Sequence, residues 1–135
     1  EVDFINPITG EKLEPKLKGI IDLISVDSII VDHKTSAKKW TGQNILNSSQ
    51  HVTYYVAHYG IFNTVLTKFL YHIIYKQPKS PIDIFEVKIS NIDIINFFKK
   101  SRKIIDNIQN DIWIPKPSIA CRWCEYSNIC LQSCC

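Results

Sequence analysis

Three charged residues stand inside runs that are otherwise apolar. Asp22 lies in Gly19-Ile20-Ile21-Asp22-Leu23-Ile24, and Asp32 and Lys34 lie in Ile29-Ile30-Val31-Asp32-His33-Lys34-Thr35. A carboxylate in a segment fit for burial needs a compensating partner. If the two segments form a hairpin, Asp32 and Lys34 project from one face, being two residues apart, and Asp22 can join them. Two carboxylates on one wall repel unless a cation joins them, and hard oxygen ligands suit Mg2+ or Mn2+, ions that also hold a substrate phosphate. Such an ion lowers the pKa of bound water and stabilises charge on a phosphate under attack. A lysine at position 34 can orient that water or neutralise the developing charge. The plainer alternative makes Asp22 an edge-strand charge and Asp32/Lys34 an exposed pair; the apolar flanks weigh against it.

Two further groups carry chemistry. Gln50 and Tyr54 are four apart in Gln50-His51-Val52-Thr53-Tyr54, hence on one face of a helix, where they can reach an active site or a nucleic-acid backbone together. The ordinary alternative has Tyr54 packing and Gln50 solvated. Near the end of the chain, Cys121, Cys124 and Cys130 have Cys-x2-Cys-x5-Cys spacing, close enough to grip one soft metal centre, after a lead containing Trp113, Pro115 and Pro117. Zinc and an iron–sulfur cluster both take four thiolates, and the spacing leaves the two open; buried cysteines or a small disulfide knot are the bland readings. Tyr71, His72 and Tyr75 could stack bases, although a place in a strand core is the more usual fate of such residues.

The elements that must position these residues can be sketched from pattern. Val2 to Ile5 is strand-like, and Asn6-Pro7-Ile8-Thr9-Gly10 carries turn chemistry before a polar stretch to Pro15. Lys16 to Val26 alternates as a strand, Asp27-Ser28 turns the chain, and the β-branched run from Ile29 to Lys34 reads as a buried strand, which together predict a hairpin. Val52, Tyr55, Tyr59 and Phe62 recur at helical spacing within 48–63. Val65 to Tyr75 and Ile82 to Ile89 are further strands, separated by Gln77-Pro78-Lys79-Ser80-Pro81. Ser90-x-x-Asp93 matches a helix start, followed by the stripe Ile94, Phe97, Phe98, Ile105 and Ile108. The expected fold is α/β, a mixed sheet flanked by helices.

At 135 residues the chain fits a core unit at 1–115 with a cysteine-rich tail at 116–135, and 45% hydrophobic residues with four glycines exclude a disordered or fibrous chain. All five cysteines lie between Cys121 and Cys135, so they cannot staple distant segments as a secreted disulfide scaffold does. With no leader pattern and no apolar stretch of spanning length, a cytoplasmic, reducing location is expected and no membrane partner. A net charge of +3 does not diagnose a nucleic-acid ligand, but basic residues at 38, 39, 99, 100, 102 and 103 form two patches able to meet phosphate, or simply solvated faces. Glu1-Val2-Asp3-Phe4 reads like the inside of a strand, which suggests a piece of a longer protein.

Gly19-Ile20-Ile21-Asp22, Val31-Asp32-His33-Lys34-Thr35 and Gln50-His51-Val52-Thr53-Tyr54, in that order and spacing, resemble the RecB-like PD-(D/E)XK nucleases, which include nuclease domains of AddB/RecB-type recombination helicases, CRISPR-associated exonucleases and phage exonucleases. The resemblance runs from about Leu17 to Cys130. It implies a restriction-endonuclease-like core with a metal-binding tail, and a metal-dependent DNA exonuclease acting on single strands or free ends beside a helicase or CRISPR-type partner. Asp22, Asp32 and the His33 backbone carbonyl would hold Mg2+ or Mn2+, Lys34 would be the catalytic lysine, and Gln50 and Tyr54 would be the Gln-x-x-x-Tyr motif. It also implies that Cys121, Cys124 and Cys130 hold a 4Fe-4S cluster, zinc being the alternative, as a clasp rather than a redox centre. This sequence departs from that pattern, since no cysteine precedes Cys121: the fourth thiolate comes from Cys134 or Cys135, or from a segment before Glu1 that also carries the family's first helix, or the cluster is not assembled. Two other functions compete: a non-catalytic nucleic-acid-binding module, and a zinc-binding interaction domain.

Overall fold

The computed structural model describes residues 1–112, 115 and 118–132. Two compact units divide the chain at residues 99 and 100. The first holds strands β1 (Val2–Ile5), β2 (Lys12–Leu17), β3 (Leu23–Ile24), β4 (Ile29–Ser36), β5 (Lys68–Tyr75) and β6 (Ile82–Val87), and helices α1 (Gly42–Leu46) and α2 (Gln50–Phe62). Helix α3 (Asn91–Gln109) begins in the first unit; the second unit contains its end, a 3-10 turn (Ile119–Trp123) and α4 (Ser127–Gln132).

The central sheet has the order β3-β4-β5-β6, with β4 and β5 parallel and the outer pairs antiparallel. A parallel pair needs a crossover, and α1 and α2 supply it. β5 alternates strictly: Phe69, Tyr71, Ile73 and Tyr75 are buried on one face and pack with Ile30 of β4, while Leu70, His72 and Ile74 turn to the other. β1 and β2 form a separate antiparallel pair, with an irregularity between Val2 and Phe4.

Helix α2 is apolar on more than one side because it serves two cores. Val52 and Val56 pack with Phe4, Ile94 and Phe98, whereas Tyr54 packs against the sheet cluster around Phe69 and Tyr71. α2 ends where Asn63 adopts a left-handed conformation, φ 52°, and bonds back to the Tyr59 carbonyl. The start of α3 follows the Ser-x-x-Asp pattern. Ser90 donates to Asp93 from both its N–H (2.9 Å) and its hydroxyl (2.6 Å), and the hydroxyl bond first, then the backbone bond, hold the Asp93 carboxyl below the usual range. Of the expected α3 stripe, Ile94 and Phe98 are buried and Phe97 packs beside them; Ile105 is half-buried and Ile108 exposed.

Two expectations change. The long strand from Lys16 to Val26 does not exist as one element. Its first part belongs to β2, which pairs with β1, and only Leu23–Ile24 pairs with β4. Tyr71 and Tyr75 cannot stack bases, since both are buried. His72 faces the opposite side of the sheet, its ring 5.3 Å from that of His33.

A close approach of β1 to α2 is made possible by a missing side chain. A Cβ at Gly60 would stand 2.6 Å from the Asp3 carbonyl oxygen, which is backbone and cannot swing away. Gly60→Ala should therefore destabilise the protein by about 1–3 kcal/mol through overpacking, outweighing the roughly 1 kcal/mol that alanine gains in a helix. Urea denaturation reads this directly, with Gly42→Ala in α1, where a Cβ meets nothing within 4 Å, as the comparison that should lose no stability.

Candidate active site

The site is built at the open end of the β3-β4 hairpin. Leu23 pairs with Val31 and Ile24 with Ile30. Extending that register by one residue places Asp22 opposite Asp32, with both side chains on the same face. The ladder stops there because the Asp22 carboxylate replaces it: Oδ2 accepts the His33 N–H at 2.9 Å. N–H and C=O of one strand residue point to the same edge, so the His33 carbonyl also faces the edge where Asp22 lies. The His33 ring is on the other face, against His72.

Asp32 is 1% exposed. Its Oδ1 accepts from Gln50 Nε2 at 2.8 Å. Its Oδ2 has no hydrogen bond among the described residues and meets the Lys34 ammonium at 2.7 Å as an ion pair. Lys34 keeps 31% of its side chain exposed, so its ammonium lies between the buried carboxylate and solvent. The β4-β5 register sets Tyr71 next to Asp32, and Tyr71 next to Phe85, which walls this carboxylate with ring surface on one side.

Gln50 and Tyr54 bridge the two acidic segments. The Gln50 amide spends one donor on Asp32 and the other on Tyr54 Oη, 2.9 Å away; that hydroxyl donates in turn to the Ile20 carbonyl at 2.8 Å. A continuous hydrogen-bonded path thus runs from Asp32 to the backbone two residues before Asp22. Of the residues singled out in the sequence, Asp22, Asp32, Lys34, Gln50, Tyr54 and the His33 backbone come together here.

What the sequence did not reveal is a buried polar group behind the site. Tyr71 Oη lies 3.1 Å from Ser48 Oγ and 3.4 Å from His51 Nδ1. Burial pushes the Tyr71 hydroxyl up and the His51 ring down from their ordinary pKa values, with a weaker upward pull from Asp93 on His51. Only the positions of Ser48 and His51 beside Gln50 hinted at it.

The groups at this corner that could ligate a cation are hard oxygens, two carboxylates and a main-chain carbonyl, with the Lys34 ammonium and the Gln50 amide beside them. Asp32 Oδ2 is buried, and the group compensating it is the ammonium of the partly exposed Lys34; a carboxylate oxygen so placed beside Asp22 is one a divalent cation can share, so the residues fit Mg2+ or Mn2+. The set is small, however. Among the described residues no group of three or more His, Cys, Asp or Glu side chains could hold a metal ion.

The second unit carries the cysteines. Cys121 lies on the 3-10 turn, its Sγ 3.3 Å from the Ser118 N–H; Cys124 follows the turn, and Cys130 lies on α4. Cys121, Cys124 and Cys130 form no disulfide with one another. Cys134 and Cys135, expected as a fourth ligand, lie outside the described residues, as do Trp113 and Pro117 of the lead. No helix among the described residues is long and apolar enough to cross a membrane.

A mixed sheet flanked by helices, with an acid at the hairpin end and an acid-x-lysine on the next strand, defines a restriction-endonuclease-like α/β fold. The family model of the PD-(D/E)XK nuclease superfamily matches residues 1–131, and the chain belongs to that superfamily. No curated protein and no solved structure gives a significant match. The superfamily consists chiefly of phosphodiester hydrolases that act on DNA with Mg2+ or Mn2+.

Among the described residues Lys34 is the cation paired with Asp32, and its removal exposes how much the fold depends on it. Lys34→Ala should lower stability in chelator by about 3 kcal/mol, the scale for leaving one partner of a buried ion pair uncompensated. Chemical denaturation with and without Mg2+ measures it, and Mg2+ should recover more stability in the variant than in the parent.

Proposed function

We propose that the chain is the nuclease domain of a RecB-like enzyme that hydrolyses DNA phosphodiesters, acting as an exonuclease on single strands or free ends in DNA repair, recombination or CRISPR or phage DNA processing, beside a helicase or CRISPR-type partner. The observation that carries this reading is the buried Asp32 carboxylate, bonded to Gln50 through one oxygen and paired with the Lys34 ammonium through the other, with Asp22 opposite it on the hairpin. Asp22, Asp32 and the His33 carbonyl would hold the divalent ion. When bound, that ion acidifies a water and neutralises charge on the scissile phosphate.

The chain's own residues do the rest. Lys34 keeps an ammonium at the mouth of the site, where it orients the attacking water and balances charge that grows on the phosphate oxygens. Gln50 fixes the Asp32 oxygen it bonds and so orients the carboxylate, whose other oxygen pairs with Lys34. Tyr54 ties the Ile20 backbone to Gln50, so the two acidic segments keep their separation as the phosphate enters. Lys38 and Lys39, exposed just after β4, offer charge to the backbone of the incoming strand.

In the second unit, Cys121, Cys124 and Cys130, with Cys134 or Cys135, bind a 4Fe-4S cluster as a structural clasp, with zinc as the alternative occupant. The Cys-x2-Cys-x5-Cys spacing of the three thiols supports this reading. Iron, sulfide and zinc analysis of anaerobically purified protein separates the two.

The test is cleavage of end-labelled single- and double-stranded DNA by that preparation, with Mg2+, Mn2+ or chelator. Cutting should require the divalent ion, favour single strands or ends, and fall on the order of 10²- to 10³-fold in Lys34→Ala and Asp32→Ala. Salt-sensitive DNA binding without any cutting by folded protein would instead make it a binding module.

A further inference from the structure

We propose that Tyr71 is a positioning residue for this site: its buried hydroxyl clamps the first turn of α2 so that Gln50 is held on Asp32. This inference deepens the nuclease reading, and its kinetic part rests on that reading.

Tyr71 is fully buried on β5, in register with Asp32 on β4 and on the same face of the sheet. A hydroxyl there is expensive unless it is bonded. Both of its partners come from one short segment, Ser48 at 3.1 Å and His51 at 3.4 Å, flanking Gln50. Ser48 Oγ also accepts the Gln50 N–H at 3.3 Å. The phenol is therefore one bond from the atom that fixes the Gln50 backbone, while the Gln50 side chain bonds Asp32 on the adjacent strand.

Ring packing adds rigidity to the clamp. The His51 ring meets Tyr71 edge-on at 6.2 Å and Phe69 at 6.1 Å, and Trp40 closes on Tyr71 at 5.6 Å. The α2 residues around the clamp cannot shift along the sheet without breaking these contacts. Among the described residues, the Ser49 side chain makes no cap bond to α2, so Ser48 takes that place and gains a second role through Tyr71. None of Tyr71, Ser48 and His51 is assigned a part in the chemistry itself. Their arrangement instead decides where the Gln50 amide points.

The decisive experiment uses Tyr71→Phe, which keeps the ring and deletes the hydroxyl. The side-chain amide resonance of Gln50, assigned by its loss in Gln50→Ala, is followed by NMR in metal-free protein. The clamp predicts that this resonance moves towards that of a solvated glutamine in Tyr71→Phe and equally in Ser48→Ala, with little further change in the double variant. Phe98→Leu, in the other core, is the control for lost stability and should leave the resonance in place. In steady-state cleavage, Tyr71→Phe should lower kcat on the order of 10-fold or more with KM for DNA unchanged, as misplacement of a site group does.

An unmoved Gln50 resonance in folded Tyr71→Phe overturns the proposal, as does an equal movement in Phe98→Leu. If Tyr71→Phe does not fold, Ser48→Ala decides by the same reading. If the parent protein does not cleave DNA, the nuclease reading falls while the amide measurement in metal-free protein still decides the clamp.

Discussion

A carboxylate that is 1% exposed sets the terms for everything around it. Asp32 cannot be solvated, so its two oxygens must be served by the protein or by a cation. One is bonded to Gln50 and the other faces Lys34. Each partner imposes a structural requirement. Lys34 must be two residues along the same strand to share the face, and Gln50 must lie at the start of a helix that lands over β4. The crossover between β4 and β5, with α2 between two cores, follows from that requirement as much as from the pairing of the strands. Tyr54 extends it to the Ile20 carbonyl, so the short β3 hairpin and the helix are held to a common spacing.

The same arrangement is poor economy as a fold and good economy as a site. A well-packed apolar residue at position 32 would stabilise the sheet at least as well as a buried ion pair. The structure instead keeps a buried carboxylate paired with a lysine, stops the β3 ladder early by placing the Asp22 carboxylate on a backbone N–H, and buries a phenol that then needs Ser48 and His51. Local departures of this kind concentrate where function is, because elsewhere propensity, pattern and packing agree.

Much of this was legible in the residues. The apolar runs around Asp22 and Asp32 implied buried charge, and charge of that sort implied a cation. Gln50 and Tyr54 were readable as one helix face, and the Ser90–Asp93 start of α3 could be seen directly. β2 was hidden because Lys12–Leu17 buries no residue fully and contains Pro15, so its pairing is dictated by β1 rather than by its own alternation. The strand expected over Lys16–Val26 had the right period, but a period of two does not say which neighbour is paired, and the carboxylate of Asp22 ended the hairpin. Tyr71 and Tyr75 were ambiguous for a similar reason: an aromatic residue in a strand can face the core or a ligand, and only the pairing on both sides of β5 decides it. The cysteine spacing speaks of a soft metal, yet ligation depends on where distant thiols meet, which spacing alone does not determine.

The central claim is that Asp22 and Asp32 form one divalent-cation site, and it is tested most directly by electron paramagnetic resonance of added Mn2+. The parent protein should show one bound Mn2+ that Mg2+ displaces, and that signal should be lost in both Asp22→Asn and Asp32→Asn while each variant remains folded. Mn2+ binding of equal affinity in the parent and in both variants would contradict the account.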